Sequence, residues 1–252
     1  YEFIGPNIGE MACGEYGEGK MAEPLELLKN IKNYFKNIDN NKNLRALVTA
    51  GPTLEYIDPV RYISNRSSGK QGYEIAKSLN DNGFNTTLIS GPTQLKNPLN
   101  VKTIRVNSAY EMFDTTIKNL PVDVAIFAAA VSDYRVKKKN NKKLKKENFM
   151  NLELEKNIDI LEYVSKHNSL RPKIVVGFAA ETNNLKNNAK EKLHYKNCDW
   201  IVANDVSRQD IGFESNMNEV LIYRNNKVEK LYKTSKSNIA NQLVKKIISD
   251  LN

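Results

Sequence analysis

Short apolar segments alternate with amphipathic segments from Leu44 onward, and this order constrains the fold more than any other feature of the chain. Residues 122–131, VDVAIFAAAV, are apolar without interruption from Val124 onward, which is typical of a parallel strand that is buried on both faces. Residues 69–83 place Ile75 and Leu79 on one face of a helix. The alternation predicts an α/β fold with a mostly parallel sheet.

Local signals define the other elements. Strand patterns occupy residues 44–51, 84–91, 102–106, 173–179 and 199–205. Helix patterns occupy residues 25–37, 108–119, 157–167, 182–195 and 235–251. Ser108 and Glu111 have the spacing of a capping box, and Gly83 stands where it would cap the preceding helix. Residues 218–224 and 227–233 flank an Asn-Asn pair and predict a C-terminal hairpin.

Bulk properties exclude several classes of protein. A chain of 252 residues with 40% hydrophobic residues buries a core without disulfides or metals. The apolar run 124–131 is too short to span a membrane, and no secretory signal opens the chain. Cys13 and Cys198 make no disulfide framework and indicate a reducing, cytoplasmic location. Since the chain begins with Tyr, we expect it to be a piece of a longer protein.

The net charge of +9 is concentrated in a lysine-rich segment, predicted to be a loop over residues 137–149. Nucleic acid, an anionic membrane and a polyanionic small substrate are the partners that such a charge attracts. A nucleic-acid groove would interleave aromatic and Arg residues, whereas Asn and Leu stand between these lysines. A solvated loop is the alternative. The lysines are Lys137, Lys138, Lys139, Lys142, Lys143, Lys145 and Lys146.

The segment after the first strand predicts a phosphate site. Ligands of open parallel sheets bind beyond the carboxyl ends of the strands. Here residues 50–72, AGPTLEYIDPVRYISNRSSGKQG, are unusually long for a strand-to-helix connection. The helix begins near residues 67–69, and its N-terminus favours an anion. The segment is neither a GxGxxG fingerprint nor a Walker A loop, so a simple capped helix stays an alternative.

Other strand ends and one helix carry polar or aromatic residues that have both a functional and a structural interpretation. Asp133 follows the strand 122–131, where a carboxylate either binds ribose hydroxyls or Mg²⁺, or merely turns the chain. Phe178 either stacks on a base or belongs to the core. Lys192 and Lys196 share one helix face, which is usually a solvated face. Because no nucleophilic triad or carboxylate pair is readable, the predicted chemistry is charge stabilisation of phosphates.

Several of these motifs, in this order, resemble phosphopantothenoylcysteine synthetase. The resemblance runs from about Leu44 to near the C-terminus, and it is carried by GPTLEYIDPVRYISNRSSGKQG, AAAVSDYR, KLKKE, GFAAET and ANDVS. The preceding GPNIGEMACGEYGEGKMAEP resembles the C-terminal substrate-clamping segment of phosphopantothenoylcysteine decarboxylase, and Cys13 matches its active-site cysteine. The expected organisation is a decarboxylase remnant at 1–24, a helix and linker at 25–43, and a synthetase domain at 44–252.

The resemblance implies a CTP-dependent ligase of coenzyme A biosynthesis. In that family, 4′-phosphopantothenate and CTP give an acyl-cytidylate and pyrophosphate, and L-cysteine then displaces CMP. The implied fold is a Rossmann-like three-layer sandwich with a mostly parallel sheet and a C-terminal antiparallel hairpin extension. Mg²⁺ is an implied cofactor, a homodimer the implied assembly, and a decarboxylase domain the implied companion in the full-length protein. FMN is not expected on this chain, nor are nucleic-acid or membrane partners.

Matching motifs carry functional residues over to this sequence. Asn65 matches the asparagine that handles the acyl-cytidylate, and Lys143 matches the functional lysine of a mobile lid. Asp133 matches a CTP-contacting aspartate and is the candidate for Mg²⁺, while Asn204 is a weaker candidate for the phosphopantothenate side. The remaining residues implied for the nucleotide are Phe127, Ala128, Ala129, Ile158, Asp159, Ile160, Leu161, Phe178, Lys192 and Lys196.

Three alternatives compete with this interpretation. An NAD-dependent Rossmann dehydrogenase lacks support because the glycine fingerprint and its acidic partner are missing. A nucleic-acid-binding module would bind through the lysine segment in a salt-sensitive manner. A purely structural tail of a decarboxylase assembly would be inactive by itself. Within the ligase interpretation, nothing in the motifs excludes ATP in place of CTP by physical argument.

Overall fold

The computed structural model describes most of the chain, and its secondary-structure elements are numbered here in chain order. The residues outside the description are 1–2, 12, 146–150, 209, 213–214, 225–226 and 252, together with the side chains of 33–34 and 36–40. The strands are β1 (Asn7–Glu10), β2 (Tyr16–Lys20), β3 (Arg45–Ala50), β4 (Leu54–Tyr56), β5 (Tyr62–Ser64), β6 (Asn85–Ser90), β7 (Lys102–Arg105), β8 (Val124–Phe127), β9 (Tyr134–Val136), β10 (Leu154–Lys156), β11 (Ile174–Glu181), β12 (Trp200–Asp205), β13 (Met217–Arg224) and β14 (Lys227–Ser235). The helices are α1 (Pro24–Asn41), α2 (Lys70–Asp81), α3 (Ala109–Lys118), α4 (Ile160–Ser165), α5 (Leu185–Lys196) and α6 (Lys236–Leu251).

An eight-stranded sheet organises the chain after residue 44, in the order β14-β13-β12-β11-β8-β3-β6-β7. The strands from β12 to β7 run parallel, and β13 and β14 continue the sheet in antiparallel register. The predicted α/β class, parallel sheet and C-terminal hairpin are therefore confirmed. The Asn225-Asn226 turn itself lies outside the described residues.

Adjacent residues of the central strands point to opposite faces and are covered by different helices. Val48 and Ile126 belong to the core under α2 and α6. Leu47 and Ala125, one position earlier, belong to the core under α3, α4 and α5. Because successive side chains alternate across a strand, continuous apolar runs fill both cores. The result is the predicted three-layer sandwich.

Helix boundaries follow local capping. Ser108 Oγ accepts a hydrogen bond from the Glu111 N–H at 3.2 Å, which confirms the predicted start of α3. Gly83 has a φ of +94° just beyond α2, as its capping role requires. The predicted helix 157–167 was too long, because Asp159 accepts from the Glu162 N–H at 2.8 Å and caps α4 there.

The sequence interpretation was also wrong about the end of the central strand. The strand predicted over 122–131 covers only Val124–Phe127. Ala128 and Ala130 still donate backbone hydrogen bonds to the carbonyls of Thr49 and Gly51, at 3.1 and 2.9 Å. On its other side, however, the chain no longer pairs with the neighbouring strand. An apolar run does not distinguish a buried strand from the apolar wall of a cavity, since both exclude water.

The elements formed by the first 43 residues lie outside the eight-stranded sheet. Strands β1 and β2 make a two-stranded antiparallel sheet, and α1 extends both ends of the helix predicted over 25–37. The helix predicted over 182–195 is α5, which begins at Leu185. The small pairs β4–β5 and β9–β10 were not predicted, because strands of three residues carry too little periodicity. Within the described residues, none of the helices combines the length and apolar character that crossing a membrane requires.

Candidate functional site

Two cavities open at the carboxyl edge of the parallel strands. The first, of about 400 Å³, lies between the N-terminus of α2 and the ends of β11 and β12. Its polar lining includes Asn65, Ser67, Ser68, Lys70, Gln71, Asn204, Asn218 and Lys236. The second, of about 690 Å³, lies between the end of β8, the start of α4 and α5. Its lining includes Asp133, Asn157, Asp159, Glu162, Lys192, Tyr195 and Lys196.

The two cavities adjoin. Ala129, Val131 and Phe178 line both of them. Asn65 stands at this junction, where its Nδ2 donates a hydrogen bond to the carbonyl of Val131 at 3.0 Å. An amide nitrogen carries two N–H groups, and this contact uses one of them. A ligand that reaches from one cavity into the other passes this amide.

Glycines allow the N-terminus of α2 to approach the sheet. Gly69 precedes the helix with a φ of +73°, and a Cβ there would meet Thr93 Cγ2 at 2.9 Å. A Cβ on Gly72 would lie 2.6 Å from the Cβ of Ala50. The helix therefore starts close against β3, with its first N–H groups at the wall of the first cavity. Such an end attracts an anion.

Two lysines add positive charge to the first cavity. Lys236 is only 6% exposed, and its carbonyl is held by Gln71 Nε2 at 3.1 Å. Its Nζ donates to the Gly212 carbonyl at 3.3 Å, while Lys70 Nζ donates to Asn216 Oδ1 at 2.8 Å. Burial, and then the charge of Lys70, lower the pKa of Lys236 to about 8. A buried amine beside a second cation is costly in free energy, which is characteristic of a site that takes an anionic ligand.

A charge cluster forms one wall of the second cavity. Lys196 contacts Asp159 through a very short hydrogen bond and Glu162 Oε2 at 3.2 Å. Burial alone would lower the pKa of Lys196, but the contacts with Asp159 and then Glu162 raise it. The Lys166 hydrogen bond, and then that of Lys196, lower the pKa of Glu162. Lys196 therefore stays positively charged beside the N-terminus of α4.

The second cationic residue of this wall is paired with the end of β11. Lys192 Nζ donates to Glu181 Oε1 at 2.7 Å, and Asn188 donates to the other carboxylate oxygen at 2.8 Å. Burial would raise the pKa of Glu181, but the hydrogen bonds from Lys192 and Asn188 lower it. Lys192 and Lys196 therefore face the cavity from one helix, each oriented by an acid of a neighbouring element.

Unpaired polar atoms also mark the second cavity. Ser132 Oγ and Asn157 Oδ1 are buried without a hydrogen-bond partner in the described part of the chain. Asn157 Nδ2 donates to the Ser132 carbonyl at 2.8 Å, so the two residues form one unit. Buried polar atoms normally have partners, and these two are available to a polar ligand.

The structure brings most of the sequence-predicted residues to this edge. Phe127, Asp133, Ile158, Asp159, Ile160, Leu161, Lys192 and Lys196 line the second cavity. Asn65, Ala128 and Asn204 line the first cavity, and Ala129 and Phe178 line both. Lys143 is exposed and lines neither cavity. The role of each residue remains a prediction.

Sequence reasoning missed Lys236, Ser132, Asn157 and Tyr195. Lys236 opens α6, where a lysine ordinarily contacts solvent, and it is buried where α6 packs against α2 and where its Nζ meets Gly212. Asn157 and Ser132 are 25 positions apart and meet only in the folded chain. Asn157 opens the NIDIL motif of residues 157–161 and Ser132 stands in AAAVSDYR, so two motifs of the sequence pointed to this wall without singling out these side chains.

A family model described as DNA/pantothenate metabolism flavoprotein C-terminal domain matches residues 41–251. The chain belongs to this family. Within it, a coenzyme A biosynthesis bifunctional protein CoaBC of Haemophilus influenzae is 43% identical over 249 residues, which are 98% of this chain and 62% of that protein. The corresponding protein of Borreliella burgdorferi is 38% identical, over 97% of this chain and 63% of its own length. The chain thus spans less than two thirds of these relatives.

Solved structures share the fold. The crystal structure of the C-terminal domain of a CoaBC protein matches with a TM-score of 0.71 and 39% identity, over 85% of this chain and 98% of that one. A Cab2 mutant in complex with phosphopantothenate-cysteine matches with a TM-score of 0.66 over 91% of this chain and 94% of that one. At 16% identity the second match shows the fold alone.

Proposed function

We propose that this chain is a CTP-dependent ligase that joins 4′-phosphopantothenate to L-cysteine. The observation that carries the proposal is the pair of adjoining cavities that meet at Ala129, Val131 and Phe178, with the Asn65 amide at the junction. Two substrates held in separate cavities would bring their reactive ends together there. Family membership and the CoaBC relatives support the same reaction.

The second cavity is assigned to the nucleotide. It is the larger of the two, and it offers the cations Lys192 and Lys196 together with the unpaired Ser132 and Asn157. The aromatic ring of Phe178 supplies an apolar wall at the junction. The first cavity is assigned to phosphopantothenate, because the α2 N-terminus and two lysines favour its phosphate.

The first step forms a mixed anhydride. A carboxylate oxygen of phosphopantothenate attacks the α-phosphorus of CTP, and the bond from that phosphorus to the bridging oxygen of pyrophosphate breaks. Negative charge moves onto the departing phosphate oxygens. Lys192, Lys196 and Lys143 would stabilise it electrostatically, and desolvation inside the cavity would strengthen their effect.

The second step forms the amide. The cysteine nitrogen attacks the acyl carbon, the bond to the CMP oxygen breaks, and the nitrogen loses a proton. Charge develops on the acyl oxygen as the carbon becomes tetrahedral. The Asn65 amide would donate to that oxygen without adding net charge to the site.

Asp133 is the residue proposed to hold Mg²⁺. The described residues contain no cluster of three acidic, His or Cys side chains that would make a cation site by themselves. Mg²⁺ in nucleotide sites is commonly held by one or two carboxylates and substrate phosphates, and the exposed Asp133 in the nucleotide cavity fits this mode. When bound, the ion would neutralise charge on the triphosphate.

The assembly and location follow from the resemblance. We propose a homodimer in the cytoplasm, attached to a decarboxylase domain in the full-length protein. The edge strand β14 exposes Val228 and Tyr232, at 55% and 75%, as a dimer surface would in an isolated protomer. Cys13 and Cys198 are both free, which fits a reducing compartment. Light scattering of the purified chain measures the oligomeric state.

The pKa of Lys236 predicts a pH dependence. Burial lowers this pKa from 10.5 to about 8, so the free protein loses the positive charge as the pH rises through 8. We expect kcat/KM for phosphopantothenate to fall above about pH 8 in the cysteine-free half reaction, because the phosphate loses an attractive partner. Lys236→Met should show a low kcat/KM without this fall. An identical alkaline limb in both proteins would remove Lys236 from substrate binding.

The proposed function is tested by product analysis. The chain is incubated with CTP, Mg²⁺, phosphopantothenate and cysteine, and the products are identified by mass spectrometry. We expect 4′-phosphopantothenoylcysteine and CMP, and the acyl-cytidylate when cysteine is omitted. Amide formation with ATP but not CTP would keep the ligase and change the nucleotide. Absence of both products with either nucleotide, from folded protein, would overturn the proposal.

A further inference from the structure

An ion pair between a buried carboxylate and a partly exposed arginine holds the backbone of the lysine-rich segment. Asp58 lies in the turn between β4 and β5 and is fully buried. Its Oδ2 accepts a hydrogen bond from the N–H of Leu144 at 3.1 Å and lies 2.5 Å from Arg61 Nη2. The same Nη2 donates to the carbonyl of Leu144 at 2.9 Å. Both backbone groups of Leu144 are thus held by one Asp-Arg pair.

The hydrogen-bond partners of Asp58 stabilise its ionised carboxylate. Its Oδ1 accepts from the N–H groups of Val60 and Arg61, at 2.8 and 2.9 Å. The Arg61 side chain, followed by the backbone N–H groups, holds the pKa of Asp58 well below its usual range despite burial. A buried carboxylate is tolerated only when it is fully paired, and one of these pairs comes from the lysine segment.

Other contacts join the same turn to the same segment. The Asn140 N–H donates to the Ile57 carbonyl at 3.0 Å. Lys139 Nζ lies 5.2 Å from the centre of the Tyr56 ring. Lys143 stands between the two backbone attachments at Asn140 and Leu144, and its own side chain is exposed. Its position therefore depends on the turn that anchors its neighbours.

The hydrogen bond from Leu144 differs in sequence separation from the hydrogen bonds that form the turn. The bonds from Val60 and Arg61 to Oδ1 are two and three positions long and suffice to close the turn. The bond from Leu144 spans 86 positions and adds nothing to the local turn. It joins the segment that bears Lys143 to the connection that leads from β3 to the Asn65 motif.

We propose that Asp58 and Arg61 are positioning residues that set where Lys143 lies during nucleotide transfer. The inference rests on the proposed function for its catalytic consequence, but the attachment itself is independent of any substrate. Asp58 acts on the reaction only through the backbone of the lysine segment. Its removal should therefore cost catalysis in proportion to what Lys143 contributes.

A double-mutant cycle tests this coupling. Asp58→Asn, Lys143→Ala and the double variant are compared with the unaltered chain in phosphopantothenate-dependent pyrophosphate release. We expect Asp58→Asn alone to lower kcat about 10- to 100-fold with little change in KM for CTP, since a small displacement of a charge-stabilising group has effects of this order. In the Lys143→Ala background the same change should lower kcat by no more than about twofold.

Asp199→Asn is the matched control. Asp199 forms an ion pair with Arg171 Nη2 at 3.0 Å and accepts from the Val175 N–H at 2.7 Å. This arrangement resembles that of Asp58 but lies at the amino ends of β11 and β12, opposite the cavities. We expect Asp199→Asn to lower the Tm and leave kcat unchanged. If Asp58→Asn lowers kcat by the same factor in the unaltered chain and in the Lys143→Ala variant, Asp58 is merely structural and the proposal is overturned.

Hydrogen exchange separates failure of this inference from failure of the proposed function. Deuterium uptake is measured over residues 137–145 in the unaltered chain and in Asp58→Asn. We expect faster exchange of this segment in Asp58→Asn, with unchanged exchange in α3. Unchanged exchange of 137–145 would overturn the attachment even if the chain shows no ligase activity. Faster exchange with full activity would overturn the positioning role.

Discussion

Asn65→Ala should release pyrophosphate at a near-normal rate and yet form the amide about 10²- to 10³-fold more slowly. Loss of a donor to a developing oxyanion has an effect of this size. The Asn65 amide lies at the junction of the two cavities, where the acyl carbon is expected, and its hydrogen bond to the Val131 carbonyl holds it there. The side chain is exposed, so little stability should be lost. Single-turnover measurement of both products separates the two steps.

The control for Asn65 is Asn30→Ala. Asn30 is an exposed asparagine of α1 whose amide donates to the Glu26 carbonyl at 3.0 Å within the same helix. It should change neither step. Amide formation by Asn65→Ala at the rate of the unaltered chain would remove Asn65 from the mechanism. Equal loss of both steps would assign it to substrate binding.

Lys143→Ala should slow pyrophosphate release by about 10²-fold without lowering the Tm. The expected cause is loss of a cation that stabilises the triphosphate as pyrophosphate departs. Lys143 is exposed and lies in a segment without helix or strand, so its removal leaves the cores intact. The rate is measured with saturating CTP and phosphopantothenate, and the Tm is measured by calorimetry.

Lys142→Ala is the control for this second variant. Lys142 precedes Lys143, is also exposed and carries the same charge. If net charge alone attracts CTP, both variants should raise KM equally and leave kcat alone. A specific role predicts a loss of kcat for Lys143→Ala only. A large fall in Tm for Lys143→Ala would instead identify a structural lysine.

The sheet could be predicted because its signals are local. Most of the parallel strands have an apolar run, and most of the helices have an amphipathic repeat of their own, so order and type follow from short windows of sequence. The hairpin β13–β14 was equally readable. Residues 128–131 were misassigned, because an apolar cavity wall and a buried strand share one composition.

The site was only partly predictable. The α2 N-terminus and the strand-end residues could be anticipated from topology, since ligands bind at the carboxyl edge of such sheets. The burial of Lys236 depends on the packing of α6 against α2, and the grip of Asp58 on Leu144 joins residues 86 positions apart. Neither carries a pattern in the sequence. Choice among phosphate ligands came from resemblance, because helix ends and lysines attract any polyanion.

The measurement that tests the central claim most directly is pyrophosphate release from CTP and Mg²⁺, with and without 4′-phosphopantothenate, before cysteine is added. The account predicts release only when phosphopantothenate is present, followed by CMP and amide once cysteine is supplied. Release that requires cysteine from the start would contradict an acyl-cytidylate intermediate. No release with either CTP or ATP, from folded protein, would contradict the ligase itself.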